Sequence, residues 1–409
     1  MKRNARFAAA LLAALLTIPP CMAEFTPIET ETPQTTAAPA ESAPQLMEKG
    51  LTLGTSSVVY PEITGLQDES IQQQVNDAIL RAGKIESRLN RMAVLMSAPV
   101  SLTVTYSSAL AGDVLSVAML ASGALETERQ TQEWAAVNID LRTGQEITWD
   151  DLFTDAEEAR ARMENAIADN ILPDMSAHLA ASELLPLPDV FSLTAYGLTL
   201  HYPIRRFETL SERAGTITFL WSELAEVLNL SEGGVLNRLG VAQHLTLADD
   251  AREALTQALS GGAFPSIPAA LGDSVQTLTE QYRLLNDPDL AGDQRMISLE
   301  DGVFRQVYLL TDNLTQTLDG SVVQCIRADR LMLLGLVTGR TTQAQWRQAL
   351  GEPTRTAAVS AEAAELRRLC AGQTDYYPWW NDATLCLHAD EDGVLQTVML
   401  MQAENGEGR

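Results

Sequence analysis

The chain has 409 residues, of which 46% are hydrophobic, and its formal net charge is -26, from 54 acidic and 28 basic residues. This length exceeds one ordinary core and predicts two or three domains, each able to bury an apolar interior. The negative charge argues against nucleic acid and anionic membranes as partners, because binding to phosphates depends on clustered lysine and arginine. The acidity either keeps the protein soluble or steers cationic partners towards it.

Residues 1–23 read as a signal peptide, since a basic start precedes an apolar run over residues 7–18 and Ala23 offers a small residue for cleavage. That run is too short to span a bilayer. Lipidation of Cys21 and an uncleaved anchor are the alternatives, although Pro19 and Pro20 do not suit a lipidation motif. We expect a secreted or envelope protein outside the cytoplasm, with no transmembrane helix in the mature chain.

Residues 24–50 are rich in threonine, proline and alanine and predict a disordered linker. Beyond it, alternation, helical periodicity and turn residues predict an α+β fold with antiparallel sheets and packed helices. The elements expected up to residue 230 are a strand at 51–60 ended by Pro61, a helix opened by Asp68, a hairpin of 100–106 and 114–120, a strand at 133–141, a turn at Gly144, a helix opened by Asp155, strands at 190–195, 198–202 and 216–220, and a helix at 221–228.

The remaining chain predicts a helical connector over residues 231–268, including a helix at 245–259, and an α+β region over 269–403. That region divides into two related halves, 272–329 and 339–401, each with a helix followed by hairpins. The expected helices are 275–285 in the first half and, in the second, one capped by Thr341 and ended at Gly351.

A family resemblance emerges from the order of several motifs between residues 58 and 228. They are Tyr60-Pro61-x-Ile63-x-Gly65-Leu66, Asn138-x-Asp140-x-x-Thr143-Gly144, Trp149-x-Asp151-Leu152-Phe153, Gly197-Leu198-x-Leu200-x-Tyr202-Pro203 and Ala214-Gly215-x-x-x-Phe219. This order resembles the extracytoplasmic domain of RsiV-type anti-sigma factors, also found at the N-terminus of some peptidoglycan deacetylases. The resemblance implies a binding module near the cell wall, and RsiV-type domains recognise lysozyme, a basic protein.

The chain departs from these relatives in several respects. The sequence shows no internal membrane helix, no sigma-binding segment and no deacetylase domain, so signalling and deacetylation are not expected from it. Gly123-Ala124-Leu125-Glu126 stands where many relatives carry a Gly-Gly-x-His turn. The segment from Gly339 to Pro353 is similar to the opening helix of small envelope modules of the outer-membrane-assembly lipoprotein and β-lactamase-inhibitor-protein type, which implies an interaction scaffold.

The sequence contains no constellation that points to catalysis or to a cofactor. The four histidines are scattered, and nucleophile elbows, zinc-protease motifs and phosphate loops are absent. Cys386 and His388 would share a face of a strand, but two ligands do not close a metal site. Cys370 and Cys386 are the favoured disulfide pair, with reduced thiols as the alternative. We expect neighbouring acidic pairs such as Glu157 and Glu158 to form solvated, charge-balanced faces.

Two groups of residues stand out as contact candidates. Tyr376, Tyr377, Trp379 and Trp380 form the densest aromatic cluster, which either packs a sheet or forms a platform for a glycan or a protein. Arg205 and Arg206 form a basic turn that either pairs with nearby acids or binds an anionic group.

Taken together, these patterns favour an exported, non-enzymatic binding protein of the cell envelope, whose partner is peptidoglycan or a cationic protein such as lysozyme. A wall-glycan-modifying enzyme and a structural subunit of an envelope complex are the alternatives.

Overall fold

The structure is a computed structural model that describes residues 43–95, 101–124, 130–170, 186–202, 215–281, 284–287, 295–301, 304–311, 320–380 and 382–402. From residue 43 onwards, the described residues form one compact unit. The predicted signal peptide, Cys21, linker residues 24–42 and the basic turn of Arg205 and Arg206 lie outside the described residues. Those expectations therefore stay predictions.

The described part alternates strands and helices along the chain. The strands are β1 Gln45–Leu53, β2 Ser56–Thr64, β3 Ser101–Ala111, β4 Val114–Ala124, β5 Gln130–Asp140, β6 Gln145–Glu146, β7 Phe191–Leu193, β8 Gly197–His201, β9 Thr216–Leu220, β10 Leu284–Asp287, β11 Arg295–Asp301, β12 Phe304–Thr311, β13 Val323–Ala328, β14 Met332–Leu333, β15 Leu336–Val337, β16 Arg355–Val359, β17 Gly372–Pro378, β18 Ala383–Asp390 and β19 Leu395–Gln402. The helices are α1 Glu69–Ala82, α2 Ile85–Leu95, α3 Trp149–Leu152, α4 Ala156–Asn170, α5 Val235–Arg238, α6 Val241–Leu245, α7 Ala251–Ala258, α8 Val275–Gln281, α9 Gln343–Leu350 and α10 Ala361–Arg367.

The fold is α+β, as predicted. A six-stranded sheet in the order β1-β2-β3-β4-β5-β6 carries α1 and α2 on one face. Asp68 caps α1 by accepting hydrogen bonds from the backbone of Ser70 (2.8 Å) and Ile71 (3.2 Å), which confirms the predicted helix start. Val75 and Ile79 recur one turn apart and are fully buried against the sheet.

The start of this sheet differs from the expectation. Residues 51–60 do not form one strand, because Gly54 adopts a positive φ of 61° and turns the chain between β1 and β2. β1 begins at Gln45, so the end of the expected linker belongs to the sheet. Pro61 lies inside β2 instead of ending it. The described pairs of β2 with β3 are confined to Ser57 and Val58, so Pro61 removes no bond from that ladder.

A three-stranded sheet, β7-β8-β9, packs on the opposite face of the six-stranded sheet. Buried hydrogen bonds fix its position: the Asn138 amide donates to the Phe191 carbonyl (2.9 Å), and the Leu193 N–H donates to Ser116 Oγ (2.8 Å). The predicted strands here are confirmed. The predicted helix over 221–228 is reduced to one 3-10 turn, Trp221–Leu224.

The connector contains shorter helices than its hydrophobic periodicity predicted. The predicted helix over 245–259 is wrong as a single element, because α6 ends at Leu245 and α7 begins at Ala251. Thr246 is extended, and Asp250 occupies the position before the new helix. The predicted helix over 275–285 likewise ends at Gln281 before β10. Thr246, Asp249 and Asp250, which are residue types that favour caps and turns, interrupt the first of these two helices.

The C-terminal region forms one eight-stranded sheet in the order β10-β11-β12-β13-β19-β18-β17-β16. The two predicted halves therefore join at their last strands, β13 and β19, which pair antiparallel. In each half an isolated bridge links the start of the helix to the start of the last strand: Ser274 with Val322, and Thr342 with Val394. The expected cap of α9 shifts by one residue, since Thr342 is the capping residue.

The described core consists of three hydrophobic clusters. Their members lie between residues 58 and 141, between 114 and 337, and between 251 and 400. Met332 and Val337 lie in the middle cluster although they belong to the C-terminal half of the chain. The domain boundaries at 230 and 268 stay predictions.

Candidate functional site

The aromatic cluster lies at the end of β17 and in the turn that leads to β18. Because successive residues of a strand point to opposite faces, Tyr376 and Tyr377 separate. Tyr377 faces the helix-covered side, is fully buried, and donates its hydroxyl hydrogen bond to the Gly351 carbonyl (3.1 Å). Burial raises the pKa of Tyr377. Tyr377 is therefore a core residue and not a contact residue.

Trp379 also belongs largely to the interior. Its ring packs on the C-terminal core, and the Arg252 guanidinium of α7 lies 5.5 Å from the ring centroid. Its buried Nε1 has no hydrogen-bond partner among the residues that the structure describes. Trp379 thus follows the packing interpretation of the cluster.

Tyr376 points to the opposite face of the sheet. Its cross-strand neighbour on β16 is Arg355, whose guanidinium carbon lies 3.9 Å from the Tyr376 ring centroid. At this distance the cation stacks on the ring face. Tyr376 is half-buried and Arg355 is exposed, so the pair presents both charge and aromatic surface.

Trp380 lies in the turn after β17 and is 41% exposed, one of few large apolar side chains that are. Pro378 is also exposed, and it follows Tyr376 by two residues on the same strand face. β16 forms the end of the sheet, so its outer backbone groups have no strand partner in the described part. We name Arg355, Tyr376, Pro378 and Trp380 the aromatic edge.

The three cysteines outside the leader are unpaired, so the expected disulfide between Cys370 and Cys386 is not formed. Cys370 lies beside His388, with Sγ 3.3 Å from Nε2, whereas Cys386 contacts the Met401 sulfur at 3.6 Å. Burial raises the pKa of Cys386 to about 12, which makes it an inert thiol at neutral pH. The structure thus agrees with the alternative of reduced thiols.

Cys386 and His388 do share a face of β18, but both ring nitrogens of His388 have hydrogen-bond partners within the protein. His388 is held by Thr374 Oγ1 at its Nδ1 (2.9 Å) and by the Cys370 carbonyl at its Nε2 (2.9 Å). Across the described residues, no group of three or more His, Cys, Asp or Glu side chains is arranged to hold a metal ion. Because both of its ring nitrogens are hydrogen-bonded, we assign the buried His388 a structural role.

The acidic pairs have structural partners. Glu158 binds Arg162 (2.9 Å), which also binds Glu226 (2.8 Å), so this helix face is charge-balanced as predicted. Asp151 accepts from the Thr148 N–H (2.7 Å) in a capping box. Asp390 accepts from the N–H groups of Asp392 (3.0 Å) and Val394 (2.8 Å), so it stabilises the turn before β19.

The structure contains an ion pair with a buried carboxylate that the sequence analysis did not predict. Asp375 on β17 is fully buried and accepts two hydrogen bonds from the Arg347 guanidinium of α9 (both 2.8 Å). The indole of Trp346 (3.1 Å) and the hydroxyl of Thr356 (2.7 Å) also donate to it. Burial alone would raise the pKa of Asp375, but these donors outweigh it and the pKa is lowered. In the sequence, the one signal of this ion pair was an aspartate, Asp375, within the predicted strand β17.

Comparison with known proteins gives limited matches. No protein-family model matches the chain, and no curated protein matches it. Two solved structures of DUF3298 family members are similar. The protein from Bacteroides fragilis NCTC 9343 has 10% identity and a TM-score of 0.34, covering 48% of this chain and 96% of that chain. The protein from Pseudomonas aeruginosa PAO1 has 11% identity and a TM-score of 0.35, covering 46% of this chain and 94% of that chain.

Scores this low do not establish a shared fold or function. The resemblance to RsiV-type anti-sigma factors and that of the C-terminal region to small envelope modules both stay predictions. In the part of the chain that the structure describes, the helices are too short or too polar to cross a bilayer.

Proposed function

We propose that this protein is an exported, non-enzymatic binding protein of the cell envelope, and that it binds a cell-wall glycan through the aromatic edge. The observation that carries the proposal is the exposed Trp380, which follows by four residues the Tyr376 on which Arg355 stacks. An indole gives a sugar ring a broad apolar surface, and a guanidinium donates in pairs to carboxylates or amide oxygens. Stacking on Tyr376 holds the Arg355 fork in place before a ligand arrives.

A cationic protein is the second candidate ligand, and the net charge of -26 is the observation that favours it. A field of this sign raises the association rate of a basic partner and disfavours acidic ones. Such a complex would weaken strongly with added salt, because screening shortens the range of surface charges to about 10 Å at 0.1 M.

A retention assay separates the two ligands. The mature protein is incubated with purified peptidoglycan sacculi and, separately, with immobilised lysozyme, at low and at high salt. Glycan binding through the aromatic edge predicts retention on sacculi at both salt concentrations and its loss in Trp380→Ala. Binding of a cationic protein predicts retention on lysozyme at low salt alone.

Leu366→Ala provides the matched control, because Leu366 is another strongly exposed apolar side chain among the described residues of this region, at 56%. It removes apolar surface from α10 without touching the aromatic edge. Retention of neither ligand at any salt concentration would refute the proposal, and equal loss in both variants would refute the assignment to the aromatic edge.

A further inference from the structure

A cavity of about 480 Å³ lies where the six-stranded sheet, the connector and the C-terminal region meet. We name it the junction cavity. Its lining comes from five separate stretches of chain: Ala111 and Gly112, Ala195 and Tyr196, residues 238–240 with Gln243 and His244, Ala258, and Leu333 and Leu334. This volume is in the range of small-ligand sites and suits a single ring better than an extended chain.

His244 is the fixed polar group of the junction cavity. It is 4% exposed, and its Nδ1 accepts a hydrogen bond from the Leu334 N–H (3.0 Å). The ring proton of the neutral imidazole is therefore on Nε2. Burial lowers the pKa of His244 and keeps the ring neutral at pH 7. Among the described residues no group accepts from Nε2, nor does any pair with the hydroxyl of Tyr196, whose ring lies 4.7 Å from the imidazole.

The wall beside His244 is held in a strained conformation. Leu334 has a φ of 46°, which a bulky side chain rarely adopts, and Gly335 follows with 84°. His244 fixes this turn twice, through its ring and through its carbonyl, which accepts from the Gly335 N–H (3.0 Å). At Gly335 a Cβ would lie 2.1 Å from the Leu247 backbone. The turn is thus pressed against the connector, and the wall of the cavity is preformed.

The charges around the junction cavity restrict its ligand. Arg238 is paired with Asp140 through both guanidinium nitrogens (3.1 and 2.6 Å), so it offers little free charge. No carboxylate is found among the described lining residues, which disfavours a cation. The overall negative charge disfavours an anion. An apolar ligand would leave the Tyr196 hydroxyl and His244 Nε2 buried without partners, which is costly.

We propose that the junction cavity binds one neutral N-acetylated sugar residue of the kind found in wall glycans, an inference that rests on the proposed glycan-binding function. Hydroxyl and carbonyl oxygens of such a ring accept from Tyr196 and His244. The acetyl methyl packs on the alanine and leucine side chains of the wall. The exposed Gln243 amide lies at the rim and suits further oxygens.

The test is calorimetric titration and saturation-transfer NMR of the full mature protein with N-acetylglucosamine, with glucose as the ligand that lacks the acetyl group. Wild type should bind N-acetylglucosamine more tightly than glucose. Ala258→Phe fills the cavity and should abolish binding, whereas Gln257→Phe places the same ring on the solvent-exposed side of α7 and should leave it intact. Tyr196→Phe should weaken binding about 5-fold, the effect of one hydrogen bond.

Absence of N-acetylglucosamine binding, or equal binding by Ala258→Phe and Gln257→Phe with both folded by circular dichroism, would overturn the inference. Retention on sacculi is measured in parallel with Trp380→Ala. Sacculi retained without monosaccharide binding would refute the cavity and keep the aromatic edge. Monosaccharide bound in the cavity without sacculi retained would refute the aromatic edge and keep the cavity.

Discussion

The two halves of the eight-stranded sheet share one framework but differ at their surfaces. In each half, an isolated bridge pairs the start of the helix with the start of the last strand. In each half, a glycine with positive φ also lies just before that strand: Gly320 (76°) and Gly393 (78°). Among the described residues, only the second half also contains α10, the aromatic edge and the ion pair between Asp375 and Arg347. We call this ion pair the clamp. The shared parts thus build the sheet, and the aromatic edge among the additions is the proposed contact surface.

The clamp gives the largest expected difference between the halves. Asp375→Ala leaves the Arg347 guanidinium and the Trp346 indole without their acceptor, so α9 loses its fixed position on β17. Hydrogen bonds to a charged group are worth about 1.5–3 kcal/mol, and the Arg347 side chain, which is 31% exposed, can be rehydrated when its partner is lost. Urea unfolding should therefore show a loss of about 2–3 kcal/mol in the free energy of unfolding.

The control for the clamp is Glu391→Ala, which removes an exposed carboxylate from the turn before β19. It should change the free energy of unfolding by less than about 0.5 kcal/mol. A loss in Asp375→Ala no larger than that of the control would show that the clamp does not stabilise the second half.

The turn glycines test the shared framework with a smaller effect. A Cβ at Gly320 meets no atom within 4 Å, and at Gly393 the nearest is the Gln343 Cβ at 3.9 Å, so alanine adds strain without a clash. A left-handed conformation costs an L residue about 1–2 kcal/mol. Thermal unfolding of Gly320→Ala and Gly393→Ala should therefore give similar losses. Unequal losses would contradict the equivalence of the two turns.

His388 gives the second half a pH dependence that the first half lacks, since residues 272–329 contain no histidine. Burial lowers its pKa, with a contribution from Arg327, while the Cys370 carbonyl, Asp329 and Asp390 oppose the shift. The folded protein therefore binds fewer protons than the unfolded chain just below the unfolded pKa of 6.5. Its contribution to stability is present above pH 6.5 and is lost as the pH falls through the folded value.

Replacing His388 by Gln removes this titration. The free energy of unfolding of wild type should fall more steeply than that of His388→Gln as the pH drops below 6.5. His201, whose pKa burial lowers to about 4, and His244 act in the same direction in both proteins and cancel in the difference. Parallel pH profiles would contradict the buried, neutral state of His388.

Local patterns in the sequence predicted the elements that local chemistry decides. The Asp68 cap, the hairpin of β3 and β4, and the glycine turns follow from residues close together in the chain. The repeat of helix and hairpins predicted two halves, but their joining into one sheet through β13 and β19 depends on pairing between residues far apart. No local pattern encodes that pairing.

The candidate site shows the same limit. The alternation of β17 decides that Tyr377 is core and that Tyr376 is at the surface, and this could have been read from the sequence had the direction of the core been known. The sequence could not predict that Arg355 stacks on Tyr376, or that five distant stretches of chain line the junction cavity, because both arise from tertiary packing.

The dissociation constant for soluble wall-glycan fragments, measured for wild type, Trp380→Ala and Leu366→Ala, tests the central proposal most directly. Truncation of an exposed aromatic anchor should raise the constant about 10-fold or more in Trp380→Ala. Leu366→Ala should stay within about twofold of wild type. Wild-type affinity in Trp380→Ala, with both variants folded, would contradict glycan binding through the aromatic edge.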